Sequence, residues 1–141
     1  MFSSSGNPAA AYSRVGVETS IASASPHKLI LMLFDGAMLS VASAAASIRN
    51  KNSVDKGQSI SRAIDIIANG LKVSLDKDAG GELADRLSAL YDYMCARLLY
   101  ANLRDDGPAL AEVAGLLGEL KGAWEEIADD PAVLSANSTQ R

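Results

Sequence analysis

Apolar residues recur along this chain with the α-helical period in four consecutive blocks, separated by polar or glycine-bearing breaks. The first block opens at Ser25-Pro26, a side-chain cap followed by a proline suited to the first helical position. It runs to about Arg49 and puts Ile30, Leu33, Phe34, Ala37, Val41, Ala44 and Ile48 on one face. Asn50–Asn52 forms a tight link. A second helix from about Ser53 then aligns Ile60, Ile64, Ile67, Leu71 and Leu75. Gly80-Gly81 breaks that run, and a third helix follows with Leu83, Leu87, Leu90, Met94 and Leu98 as its inner face. "RDDGP" ends it, with Asp106 and Pro108 opening a fourth. There Leu110, Val113, Leu117, Leu120, Trp124 and Ile127 repeat, which predicts Trp124 in the core.

Links this short force consecutive helices to be antiparallel neighbours. The pattern therefore predicts an all-α, up-down-up-down four-helix bundle over residues 25–130. A flexible N-terminal arm or short helix over residues 1–24 precedes it, and a disordered tail over 131–141 follows. The arm carries Tyr12, Val15, Val17 and Ile21, too few for a helix that stands alone.

Composition narrows the picture. A length of 141 residues fits a single domain with an adequate core. Apolar residues make up 48% of the chain but aromatics only 5%, a balance for thin, close helices rather than a β-sandwich. Leu29–Ile48 is long enough to cross a bilayer and carries one charge, Asp35. Its apolar residues contribute about −0.3 to −0.6 kcal/mol each and Asp35 opposes insertion by about 3, so the sum is near zero. No membrane insertion is expected. The net charge of −4 provides no footprint for nucleic acid. Cys95 is the single cysteine, which points to a reducing compartment, and the N-terminus lacks the basic and apolar regions of a signal peptide.

Each helix carries more apolar or small residues than a bundle core uses. The first has Leu31 and Met38 off its core face, with Met32 and Leu39 pointing elsewhere. The second has Ile66 and Val73 with Gly70 between them, and the third has Tyr93 and Tyr100 flanked by Ala89 and Ala96. The fourth sets Ala111, Gly115, Gly118 and Gly122 nearly opposite its core stripe, although each helical glycine costs about 1 kcal/mol against alanine. Single exposed apolar residues are common on any protein. A second stripe on all four helices instead suggests an interaction surface, with Ile66, Val73, Tyr93 and Tyr100 lining a groove on helices two and three. A self-associating structural bundle, burying these stripes in a weak dimer, is the alternative.

Catalytic chemistry is lacking. His27 is the sole histidine and its first-turn position suggests exposure. One His and one Cys supply neither a nucleophile–base pair nor a zinc site. Asp76, Asp78 and Glu82 lack the calcium-loop pattern, and Gly80-Gly81 is not followed by the Lys-Ser/Thr of a phosphate loop. No enzyme activity, cofactor or metal is expected.

Two stretches, "SASPHKLILMLFDGA" and "LYDYMCARLLYAN", resemble the signatures of the flagellar secretion chaperone FliS family. "SLD" at Ser74–Asp76, "LAEVAGLLGELKGAW" at Leu110–Trp124 and an N-terminal tyrosine, Tyr12, extend the resemblance over about Tyr12 to Ile127. It implies a cytoplasmic four-helix chaperone that binds the disordered C-terminal segment of flagellin, prevents premature polymerisation and presents the subunit to the export gate. The client would wrap along surface grooves, so Leu31, Met38, Ile66, Val73, Tyr93 and Tyr100 become candidate partner-binding residues, joined by Tyr12, Val15 and Val17 on the arm. The resemblance also implies that the arm helps to engage the export gate.

Overall fold

The computed structural model describes residues 24–127 as helices α1 (Pro26–Arg49), α2 (Ser53–Ile66), α3 (Lys77–Arg104) and α4 (Gly107–Glu126), with a π-helical stretch, Ile67–Lys72, continuing α2. There is no strand among the described residues. Apart from Ala24, the arm lies outside them, as does the tail over 131–141, so Tyr12, Val15 and Val17 have no described position.

Each helix begins where a polar side chain can close its first turn. Ser25 Oγ accepts from the Lys28 amide at 3.1 Å, Asn52 Oδ1 from Asp55 at 3.1 Å, Asp76 Oδ1 from Ala79 at 3.0 Å and Asp106 Oδ1 from Ala109 at 3.0 Å. Such caps contribute about 1 kcal/mol apiece. Asp76 starts α3 one turn earlier than the sequence pattern suggests. The break expected at Gly80-Gly81 appears as a kink within α3, where Gly81 takes φ 53° and ψ −126°, backbone that favours glycine.

Contacts between neighbouring helices run in opposite senses along the sequence. His27, Asp35 and Met38 on α1 meet Trp124, Lys121 and Gly118 on α4. Leu33 and Gly36 lie against Gly70 and Ile66, and Lys56 and Lys72 meet Asn102 and Asp92 on α3. Each helix touches its sequence neighbours, and α4 closes on α1. Phe34, Val41, Ile60, Ile67, Leu71, Met94, Leu98, Leu110, Val113 and Leu117 fill the centre. Burying a side chain of this size is worth about 1.5–3 kcal/mol. Small residues sit between them: Ala37, Ser40, Ala44, Ala63, Ser88 and Ala101 are all buried, which lets the axes approach closely.

Three sequence expectations need correction. The buried line of α3 runs through Ala84, Ser88, Tyr91, Met94, Leu98 and Ala101, whereas Leu83 is 64% exposed. Close helix approach selects the small side chains for the contact line and displaces leucines to its flanks, so large size was a poor guide there. Trp124 is half-buried against the core from outside rather than within it. His27, expected at the surface, is only 7% exposed because Trp124 covers it.

α1 has the length and apolarity of a membrane-crossing helix, but its Phe34, Ala37, Val41 and Ala44 are core residues of the bundle. The charge that interrupts it, Asp35, pairs with Lys121 of α4 at 2.7 Å. At the opposite end the Lys56 ammonium donates to the Asn102 carbonyl at 3.0 Å and pairs with the Asp105 carboxylate. This tie fastens the start of α2 to the α3–α4 link, where Asp105 adopts a left-handed φ of 52°.

Candidate functional site

The second and third turns of α1, the last turns of α4, the end of the π-helical stretch and the first half of α3 meet at one end of the bundle without filling it. They leave an apolar cavity of about 350 Å³. Ile30 and Phe34 contribute from α1, Leu71 from the π-helical stretch and Leu75 from the link after it, Leu83, Leu87 and Tyr91 from α3, and Leu120, Trp124 and Ile127 from α4 and its cap. The Gly81 kink places Leu83 here, exposed to solvent but on the cavity wall. The volume lies within the range of pockets that receive a ligand side chain or a small molecule. Burial pushes the Tyr91 phenol up to about 12, so it stays protonated and neutral at physiological pH.

A second apolar region runs along the outer face of α3. Leu99 and Leu103 are exposed, and Tyr93 and Tyr100 are 44% and 39% exposed. The Tyr93 hydroxyl donates to Glu112 Oε2 on α4 at 2.6 Å, and Arg97 Nε donates to the other carboxylate oxygen at 2.8 Å. Hydrogen bonding to that carboxylate pushes the Tyr93 pKa up, and the bonds from Tyr93 and Arg97 hold Glu112 below the usual carboxylate range. Arg97 and Arg104 both stand over the Tyr100 ring, at 4.9 and 5.6 Å, within cation–π range. These contacts hold two aromatic rings in place at the surface. Cys95 on the same helix is half-buried and its thiol is pushed up by burial, the opposite of an activated nucleophile.

The sequence-nominated residues do not converge on one groove. Tyr93 and Tyr100 share the α3 face, with Tyr93 directed at α4. Ile66 faces α1 instead, its Cδ1 3.3 Å from where a Cβ on Gly36 would stand. Met38 is half-buried over Gly118 of α4, at 3.6 Å by the same measure, and Leu31 is half-buried on α1. Val73 is 68% exposed just past the π-helical stretch. The single groove on the second and third helices is thus replaced by separate patches. The reason lies in the π-helical residues between Ile66 and Val73: their i→i+5 ladder changes the angular step, so a seven-residue spacing no longer keeps two side chains on one face. Sequence reasoning missed Tyr91 and Leu83 as features of the end cavity, and His27 as a buried partner of its wall residue Trp124. The "LYDYM" motif sets Tyr91 and Tyr93 two positions apart, on different sides of the helix, and only Tyr91 points inward.

Comparison with known proteins gives a consistent result. Residues 8–131 match the family model described as flagellar protein FliS. The flagellar secretion chaperone FliS of Salmonella typhimurium is 52% identical over 117 residues, covering 83% of this chain and 87% of that protein. The Escherichia coli protein of the same description is 44% identical, covering 88% and 91%. The Bacillus subtilis one is 35% identical, covering 85% of each.

Proposed function

The chain belongs to the FliS family of flagellar secretion chaperones, not to an enzyme family, and from that premise we propose that it holds the C-terminal segment of flagellin in the cytoplasm. Bound in this way, the segment is kept from premature polymerisation and presented to the flagellar export gate. The observation that carries the reading is the end cavity: a bundle with a complete core still leaves an apolar space of about 350 Å³ open at one end. An aliphatic or aromatic side chain of a client helix displaces water from such a space favourably, at roughly 25 cal/mol per Å² of apolar surface covered. The α3 face, with Tyr93, Leu99, Tyr100 and Leu103, extends the apolar surface available to a segment longer than one helix. Leu31, Met38, Ile66 and Val73 belong to further contact patches that a wrapping client reaches in turn.

The arm carrying Tyr12, Val15 and Val17 precedes α1, whose Ile30, one turn into the helix, lines the cavity. In this reading it rests on the cavity in the free protein, yields to the client and then helps to engage the export gate.

Titration calorimetry with a peptide of the flagellin C-terminal segment tests the proposal. Saturable one-to-one binding that is lost on Leu87→Asp at the cavity wall supports it. Binding unaffected by that change, with the variant still folded, moves the client elsewhere. Self-association through these patches is the competing reading, and a concentration-dependent dimer that the peptide does not dissociate would favour it.

A further inference from the structure

His27 and Trp124, the only histidine and the only tryptophan of the chain, form a reciprocal pair between the first turn of α1 and the last turn of α4. Their rings stack with centroids 4.9 Å apart and planes within 8°. The indole N–H donates to the His27 carbonyl at 3.1 Å, and His27 Nε2 lies 2.7 Å from the Trp124 carbonyl. A carbonyl oxygen only accepts, so Nε2 carries the proton. The Trp124 carbonyl is one of those at a helix end, and among the described residues it otherwise receives a long bond of 3.3 Å from the Ile127 amide. Trp124 and Ile127 line the end cavity beyond Leu120, and Ile30 and Phe34 line it from α1. The next tie between the two helices is the Asp35–Lys121 pair, about one turn back along α4 and two turns on along α1.

We propose that His27 is a positioning residue for the end cavity: by pinning the last turn of α4 to α1, it fixes the wall that Trp124 and Ile127 present to an incoming apolar side chain. Helix ends fray readily, because few buried contacts hold them. A cavity whose wall is in place only part of the time binds more weakly by that fraction. The imidazole contributes both the stack and the hydrogen bond, so the wall is already ordered before the client arrives. The consequence for client binding rests on the proposal that the cavity receives the flagellin segment. The ordering of the α4 end does not.

The test uses the full chain with His27→Ala and His27→Gln, the second keeping an N–H donor able to reach the Trp124 carbonyl. Amide exchange in the free protein reads the wall directly. The expected result is roughly tenfold faster exchange over 124–127 in His27→Ala, with the core residues of α2 unchanged and His27→Gln in between. Calorimetry with the flagellin C-terminal peptide should then show an affinity about five- to tenfold lower for His27→Ala and largely restored in His27→Gln. Unchanged exchange at the end of α4 overturns the proposal, as does faster exchange with undiminished affinity. Should the peptide fail to bind even the wild-type chain, the client assignment falls while the exchange data still decide the positioning role. If His27→Ala does not fold, His27→Phe, which keeps an aromatic face and removes the ring N–H donor, carries the same exchange measurement with the same two outcomes.

Discussion

Raising the pH from 9 to 12 should loosen the folded chain through one side chain, Tyr91. This residue is 4% exposed, and burial raises its pKa from the ordinary 10.0 to about 12. In the unfolded chain the phenol gives up its proton near 10, whereas in the folded chain it keeps it until about 12. Between these values the folded state binds more protons, so stability falls as pH rises. The contribution is whole below pH 10 and gone above 12. Two pKa steps at 1.36 kcal/mol each give an upper figure of about 2.7 kcal/mol. The cavity that Tyr91 lines is open on one side, and water reaching the phenolate relieves part of the penalty, so about 1–2 kcal/mol is expected in practice. Urea unfolding at a series of pH values, wild type against Tyr91→Phe, isolates the effect because phenylalanine has no proton to lose. The wild-type free energy should fall away from that of the variant between pH 10 and 12. Phenolate absorbance gives an independent reading, as the wild-type minus Tyr91→Phe difference should titrate late. Parallel stability curves, or a difference titration centred at 10, would refute the burial argument. A client side chain seated in the cavity should delay that titration further.

Tyr93→Ala should weaken the flagellin peptide about tenfold in calorimetry while moving the melting midpoint little; a large loss of stability with unaltered affinity would assign Tyr93 to holding α3 against α4. Glu112 has its pKa lowered by Tyr93 and Arg97, so its contribution is present above the ordinary carboxylate value of 4.5 and lost as pH falls below it. Acid unfolding of Glu112→Gln should accordingly be less pH-dependent than that of wild type. Lys56→Met keeps the buried stem but removes the ammonium from the Asn102 carbonyl and Asp105, and thermal unfolding should register a loss of about 1–2 kcal/mol. Deleting residues 2–24 should leave the helical spectrum intact and the peptide bound as well or better, with export impaired in cells; loss of folding would make the arm part of the core.

The helices were legible because periodicity and caps act locally. Ser25-Pro26, Asp106 with Pro108, and the aliphatic lines of α1, α2 and α4 each specify their own element without help from the rest of the fold. Which side of α3 turns inward was less legible, since the answer depends on how close α2 and α4 come. Ala84, Ser88 and Ala101 permit that approach, but on a sequence they look interchangeable with surface residues. The excess of apolar residues was also readable, yet its placement was not. The expected groove joined Ile66 and Val73 to Tyr93 and Tyr100 by a uniform helical step, and the π-helical residues 67–72 remove that uniformity. His27 shows the same limit from another side: its burial is conferred by Trp124, which lies 97 positions away in sequence.

That π-helical stretch has a consequence for how the chain tolerates changes in length. A ladder closed over five residues rather than four holds a residue that an α-helix of the same path would not need. Losing one codon between Ile67 and Lys72 would therefore relax the segment into regular α-helix, where the same deletion in α1 would throw the whole α1–α2 seam out of phase. The helix before Ile67 would keep its facing residues. Residues after the deletion would keep theirs too, because the turn of about 100° that one lost residue causes in a regular helix is taken up by closing the wide turn. Ser74 and Leu75, which border the end cavity, would therefore stay on its wall. A single-residue deletion there should spare both the bundle and the mouth of its cavity, making this stretch a place where the chain can shorten without loss of the fold.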